Sequence, residues 1–548
     1  MSAGQMLRGS VITTVIAGLV GCSPGDGSVR SPVAASAAAR GPEVSDAGDD
    51  QAGRSGATAA DDLHGRERSF VRELESAGFI VQEGYATRAD PVEAMDQHAI
   101  DSAAGFNYPQ FYKRFVVPMH PSEGGGFDET SNGFKLAADE AIVYEGRTPP
   151  LADYFSFCPM LWARYPGSRV ALTGDWVFAS LRDPLNHLRL NTEGSGNPFH
   201  KRTLVIFTAD EGVYDRIAAS ARAAGYPESM LNVYPLPGRE LRMGTGGDAD
   251  SLFFLLRSAN FVSQAEGDRY ISDDGWAHVY RVTPRLAPAL RPFPTPEWRD
   301  RSFTKESELV PGLEAAVERL ERAILDRTSP FAHSSRAFRS IRWFPDSRDV
   351  LADVPGSPAY RAFVAGESSD TPYFRTAEEG RGANFLLGDA DMVVAYGVNH
   401  AATGVAIYSS ATVYGEWVLY PCPTGPATPL YADGCGDPVW SGVASMSSHA
   451  FAGSAEEYIP GDPMARFLYA VRFVRESRAD RKDRWRVVVP GYRPNPYPQF
   501  SAQPSATGIP LDRPAFVAYR AYLNPVTRSG PAHEDVVPDR AILFRMKR

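Results

Sequence analysis

The sequence predicts an α/β or α+β N-terminal domain containing a βαβ unit, followed by a β-rich C-terminal domain. Three observations carry this. Residues 203–234 run apolar strand, amphipathic helix, apolar strand; one long amphipathic helix divides the chain near its middle; and beyond residue 345 short strand-like runs follow one another between turn residues.

The βαβ unit begins with TLVIFT (Thr203–Thr208), a continuous apolar run of the kind buried on both faces in a sheet. GVYDRIAASARAAG follows, with Val213, Ile217, Ala221 and Ala224 on one helical face and Gly225 placed as a stop. LNVYPLP supplies the second strand. AIVYEG (Ala141–Gly146), RVALTG (Arg169–Gly174), VFASL (Val177–Leu181), SLFFLLR (Ser251–Arg257) and AHVYRVT (Ala277–Thr283) read as further strands of a domain over 63–300. A connecting helix and linker occupy 301–345. The helix carries a stripe of Leu313, Val317, Leu320 and Ile324 between Pro311 and Pro330. In 346–548, DMVVAYG, GVAIYSS, RFLYAVRFV, WRVVVP and AFVAYRAYL are the strands, with RESRADRKDRWR (Arg475–Arg486) as a solvated hairpin between two of them. As a functional surface that basic run would touch anionic headgroups or phosphorylated glycan.

Upstream of residue 63 the composition changes. Residues 23–62 contain no aromatic residue, no Leu and no Ile, so they lack the apolar surface that offsets ordering entropy and are expected to form a disordered tether. Before them stand one basic residue, Arg8, and an apolar run, Val11–Val20, too short to span a bilayer. The run closes on Leu19-Val20-Gly21-Cys22. This N-terminus resembles the bacterial lipoprotein signal with its lipobox. The resemblance covers residues 1–23 and implies a signal peptide over 1–21, a lipidated Cys22 as first mature residue, and an outer-membrane or periplasmic location.

The net charge of −10 argues against general nucleic-acid binding, which needs a basic face. Among four cysteines, Cys422 and Cys435 flank the loop PTGPATPLYADG and form the expected disulfide of an exported protein. Cys158 lies among aromatic residues and reads as a buried, inert thiol.

Chemistry is harder to find. The strand–helix turn TADEG puts Asp210 and Glu211 where a phosphate cradle needs glycines, which disfavours a nucleotide fold and marks both as capping residues. The ten histidines show no HExxH, HxH or Cys/His pairing, so no metal site and no cofactor is expected. No GxSxG or Walker motif occurs; Ser302-Phe-Thr-Lys305 matches SxxK without its companion motifs. Gly-Asp-Ala-Asp occurs twice, at 247–250 and 388–391, as acidic turns. YGVNHAATG reads as a hairpin whose tip carries Asn399 and His400, while DPLNHL offers Asp183, Asn186 and His187 on a loop after a strand. A neutral imidazole beside a carboxylate or amide suits a general base or a polar ligand contact. The sequence therefore points to a lipid-anchored envelope protein that binds a small-molecule or glycan ligand in an interdomain cleft. The alternatives are an exported hydrolase using His400 or His187 with Asp183, Asp210 or Asp391, and a structural envelope protein.

Overall fold

A computed structural model describes residues 65–89, 110–127, 133–164, 175–343, 347–352, 366–415, 443–475, 483–489, 509, 511 and 514–547. The lipobox, the expected tether, the RVALTG strand and the Cys422–Cys435 pair lie outside these residues.

Two mixed α/β units, built mostly of strands, make up the described chain. The first sheet holds β1 (Phe79–Arg88), β2 (Gln110–Val116), β3 (Ala141–Arg147), β4 (Ala152–Arg164), β5 (Asp175–Ser180), β6 (Leu185–Asn186), β7 (Arg202–Thr208), β8 (Leu231–Pro235), β9 (Ser251–Phe261) and β10 (Ala277–Pro284). The second holds β11 (Ala332–Arg342), β12 (Tyr373–Glu378), β13 (Arg381–Gly382), β14 (Phe385–Leu386), β15 (Met392–Val398), β16 (Tyr408–Gly415), β17 (Val443–Ser447), β18 (Leu468–Arg475), β19 (Arg486–Val489), β20 (Pro514–Tyr522) and β21 (Arg540–Met546).

The strand orders are β5-β4-β9-β2-β1-β10-β3-β7-β8 and β17-β16-β20-β12-β11-β21-β15-β18-β19. They are one order written twice. Putting β11, β12, β15, β16, β17, β18, β19, β20 and β21 for β1, β2, β3, β4, β5, β7, β8, β9 and β10 turns the first into the second. In each sheet a single pair is parallel, β7–β8 and β18–β19. Register agrees as well: Tyr112 faces Arg257 across β2–β9 as Tyr373 faces Arg520 across β12–β20, and Ser156 and Ser410 face the same two arginines. The chain is an internal structural duplication.

Packing repeats with topology. In the first half the helix 65–76 seats Phe70 and Leu74 on Val143, Leu204, Ile206, Tyr280 and Val282. In the second, the helix Leu313–Thr328 seats Leu313, Val317, Leu320 and Ile324 on Val394, Ala470, Ile542 and Phe544. The helix expected to connect two domains is therefore the opening helix of the second half, because its apolar stripe matches that sheet face. The βαβ unit is present, with helix Glu211–Ala223 between β7 and β8 and Asp210 accepting from Val213 N at 2.9 Å as its N-cap.

Other expectations change. The strands flanking the expected hairpin Arg475–Arg486, β18 and β19, run parallel rather than antiparallel, so they are not the two arms of a hairpin; residues 476–482 between them lie outside the described residues. YGVNHAATG is not a hairpin either: β15 pairs with β18 and β21, β16 with β17 and β20, and His400 opens a short helix, His400–Thr403. The two Gly-Asp-Ala-Asp turns precede β9 and β15, which are not equivalent strands; Glu140, before β3, holds the place of Asp391. Each accepts from the last turn of a neighbouring strand, Glu140 from Arg281 and Thr283, Asp391 from Arg545. The contrast expected between an α/β half and a β-rich half is absent from the sheet order.

Candidate functional site

The two sheets meet along a polar seam. Its centre is aromatic: Tyr154 on β4 lies 6.1 Å from Tyr408 on β16 and 5.1 Å from Tyr522 on β20, ring centroid to centroid, and the latter two stack at 4.7 Å. Around it runs Gly366–Thr371, the segment before β12, whose residues are all buried. Arg257 Nη2 donates to Gly366 O (2.9 Å), Ser180 Oγ to Glu367 O (2.6 Å), Ser347 Oγ to the Glu367 carboxylate (2.6 Å) and Ser369 Oγ to Asp183 Oδ1 (2.6 Å). Asp370 accepts from Tyr154 Oη at 2.9 Å and from Asn186 Nδ2 at 2.9 Å. Asn186 Nδ2 also donates to Arg528 O (3.1 Å), which ties the loop after β20 to the first half.

Burial dominates the electrostatics here. Asp370 is fully buried, and desolvation pushes its carboxyl up to about 7 despite the donors Asn186 and Tyr154, with the nearby Asp183 charge adding to the rise. Tyr154 is pushed well above the ordinary phenol range by the same burial, so it keeps its proton. Arg299 reaches the rim of the seam from the inter-sheet linker. Its backbone N–H donates to Asp183 Oδ2 (2.7 Å), and its guanidinium pKa is lowered, first by burial and then by the like charge of Arg189.

Two of the residues singled out from sequence, Asp183 and Asn186, thus come together. His187, next in chain, is buried among Tyr154, Phe155 and Phe199, with ring centroids at 6.2, 5.8 and 5.3 Å. Burial lowers its pKa to about 4, so it is a neutral imidazole, and its Nδ1 has no hydrogen-bond partner.

The rest lie elsewhere. His400 is buried in the second half between two carboxylates, Nδ1 at 2.8 Å from Glu306 Oε1 and Nε2 at 3.2 Å from Asp539 Oδ2. Their charges outweigh its desolvation and raise its pKa to about 10. It is an imidazolium with both N–H groups donating, so it holds no lone pair for a general base. Asn399 precedes it, its backbone N–H bonded to Phe467 O. Asp210 caps its helix and also accepts from Arg291 N. Cys158 is a free, buried thiol 3.4 Å from Ser180 Oγ, its pKa raised by burial. Among the described residues no three His, Cys, Asp or Glu side chains are placed to hold a metal ion, and no helix is long and apolar enough to cross a membrane.

Sequence reasoning missed Ser369, Asp370 and the seam arginines. GESSDT carries no pattern separating a buried joint from a surface turn. Arg257 left a signal: it interrupts the apolar run SLFFLLRSANF, and a charge within a buried strand implies a built environment around it.

No family model matches the chain, and no curated protein does. Among solved structures, the VPA0106 protein from Vibrio parahaemolyticus is 11% identical over 80% of this chain and 90% of its own, with a TM-score of 0.33. An uncharacterized protein from Burkholderia cenocepacia is 11% identical over 90% of this chain and 98% of its own, also at 0.33. Scores this low carry no argument about fold or function.

Proposed function

We propose that this chain is an exported, lipid-anchored envelope protein that binds a small polar ligand at the seam between its two halves. The observation carrying the reading is the convergence of Asp183 and Asn186 from the first half with Ser369 and Asp370 from the segment before β12. Interdomain joints are preferred places for ligand sites. A joint made of hydrogen bonds also reopens more readily than an apolar core, because its groups regain water partners when it parts. The hydrolase reading has less support: His400 is saturated by two carboxylates, and His187 is sealed among aromatic rings without a carboxylate on its Nδ1.

Anchoring is tested by labelled fatty acid, expected to enter the wild type but not Cys22→Ala; equal labelling would contradict it. Binding is tested by thermal-shift titration of the full chain with neutral sugars, oligosaccharides and small anions. A stabilising ligand whose effect is lost in Asn186→Ala is expected. No response in the wild type, or one indifferent to that substitution, would overturn the reading.

A further inference from the structure

We propose that Arg189, Arg299 and Arg528 form a phosphate-binding site at the rim of the seam. This rests on the seam reading above and names its ligand class. The three side chains come from three separate segments that hydrogen bonds hold together. Arg189 follows β6, with its N–H on Asn186 O (2.9 Å) and its Nη1 on Pro184 O (3.3 Å). Arg299 comes from the linker, pinned by Asp183 through its backbone and by Thr527 O through Nη2 (2.9 Å). Arg528 sits in the tight turn Asn524–Ser529, at a φ of 56°, with its N–H on Asn524 O (2.9 Å) and its own carbonyl held by Asn186.

Among the described residues, none of the three guanidiniums has a carboxylate oxygen within 4.0 Å. The two carboxylates nearby are already engaged: Asp183 by Ser369 and the Arg299 backbone, Asp370 by Asn186 and Tyr154. These acids are buried, Arg189 and Arg299 are part-buried and Arg528 is exposed, so the excess positive charge faces solvent. Arg299 Nε is buried without a partner. Three like charges held together in a chain of net charge −10 are costly unless an anion neutralises them. Planar forks of this kind match phosphate oxygens in pairs, and a phosphomonoester offers more acceptors and more charge than a carboxylate. The phosphate has two sources, a soluble phosphomonoester or a lipid headgroup. Val526, 66% exposed in the same turn, lies beside the site in a protein proposed to be tethered to a bilayer.

The test uses the full chain carrying Cys22→Ala, so that acylation does not itself drive vesicle binding. Calorimetric titration with inorganic phosphate is expected to saturate, with affinity falling about tenfold or more in Arg189→Gln and in Arg528→Gln. Co-sedimentation with vesicles of phosphatidic acid in phosphatidylcholine, absent with pure phosphatidylcholine and lost in the same variants, assigns the headgroup; phosphate saturation without vesicle binding assigns the soluble source. No saturation, or wild-type affinity retained in both arginine variants, would overturn the site. A neutral ligand that still stabilises through Asn186 would then leave the seam reading standing, whereas no response to either class would remove both.

Discussion

Replacing Asp370 by asparagine probes the seam where its energetics are sharpest. The carboxyl is fully buried and pushed up to about 7, against 3.8 ordinarily. The folded state thus binds the proton more tightly than the unfolded state. That contribution is fully present below about pH 4 and is lost as pH rises through 7. At 1.36 kcal/mol per pH unit, the total is about 4 kcal/mol as an upper bound. Asparagine mimics the protonated acid: its amide can donate to Tyr154 Oη while its carbonyl accepts from Asn186 Nδ2. The variant should match wild type near pH 4 and exceed its stability by about 2–4 kcal/mol at pH 8. Denaturant unfolding of both proteins from pH 4 to pH 8 reads this directly. Parallel stability curves, or an asparagine variant weaker at pH 8, would refute the electrostatic account of the seam.

Three further outcomes are expected. His400→Gln leaves Glu306 and Asp539 facing each other in the core and should cost about 3–5 kcal/mol by denaturant unfolding; since His400 titrates near 10, its stabilisation is complete below about 6.5 and lost as pH rises through 10. Arg281→Met strands Glu140, which is 0% exposed, and should cost about 3–5 kcal/mol in the same assay. Gly530→Ala places a Cβ 2.5 Å from Asp370 C and 2.7 Å from Ser369 O, both backbone, so the loop must back away from the seam; a lower melting temperature is expected, and an unchanged one would show that the joint has slack.

Strands with long apolar runs were legible from sequence because burial on both faces leaves few polar interruptions. β7, β9, β15, β18 and β20 are of this kind. β1, β2 and β11 were not: FIVQEGYATR, QFYKRFV and AHSSRAFRSIR mix charges and hydroxyls into central strands. β11 sits mid-sheet with only Ala332 and Phe338 buried, so its place is set by backbone pairing with β12 and β21 rather than by its own hydrophobicity. The duplication was hidden for a related reason. Equivalent positions keep their geometry but not their chemistry, as where Met160 meets Arg257 and Tyr414 meets Arg520. The seam was half legible: Asp183 and Asn186 stand out in a polar loop after a strand, but their partners lie more than 180 residues away in a segment with no local signature.

Hydrogen exchange on the full chain, comparing wild type with Asn186→Ala, tests most directly whether the two halves are joined through one cooperative polar seam. Segments 183–189, 297–301, 366–371 and 524–530 should exchange slowly in the wild type and all speed up together in the variant, while helices 65–76 and Leu313–Thr328 stay unchanged. Acceleration confined to residues beside position 186, or spread equally through both helices, would contradict it.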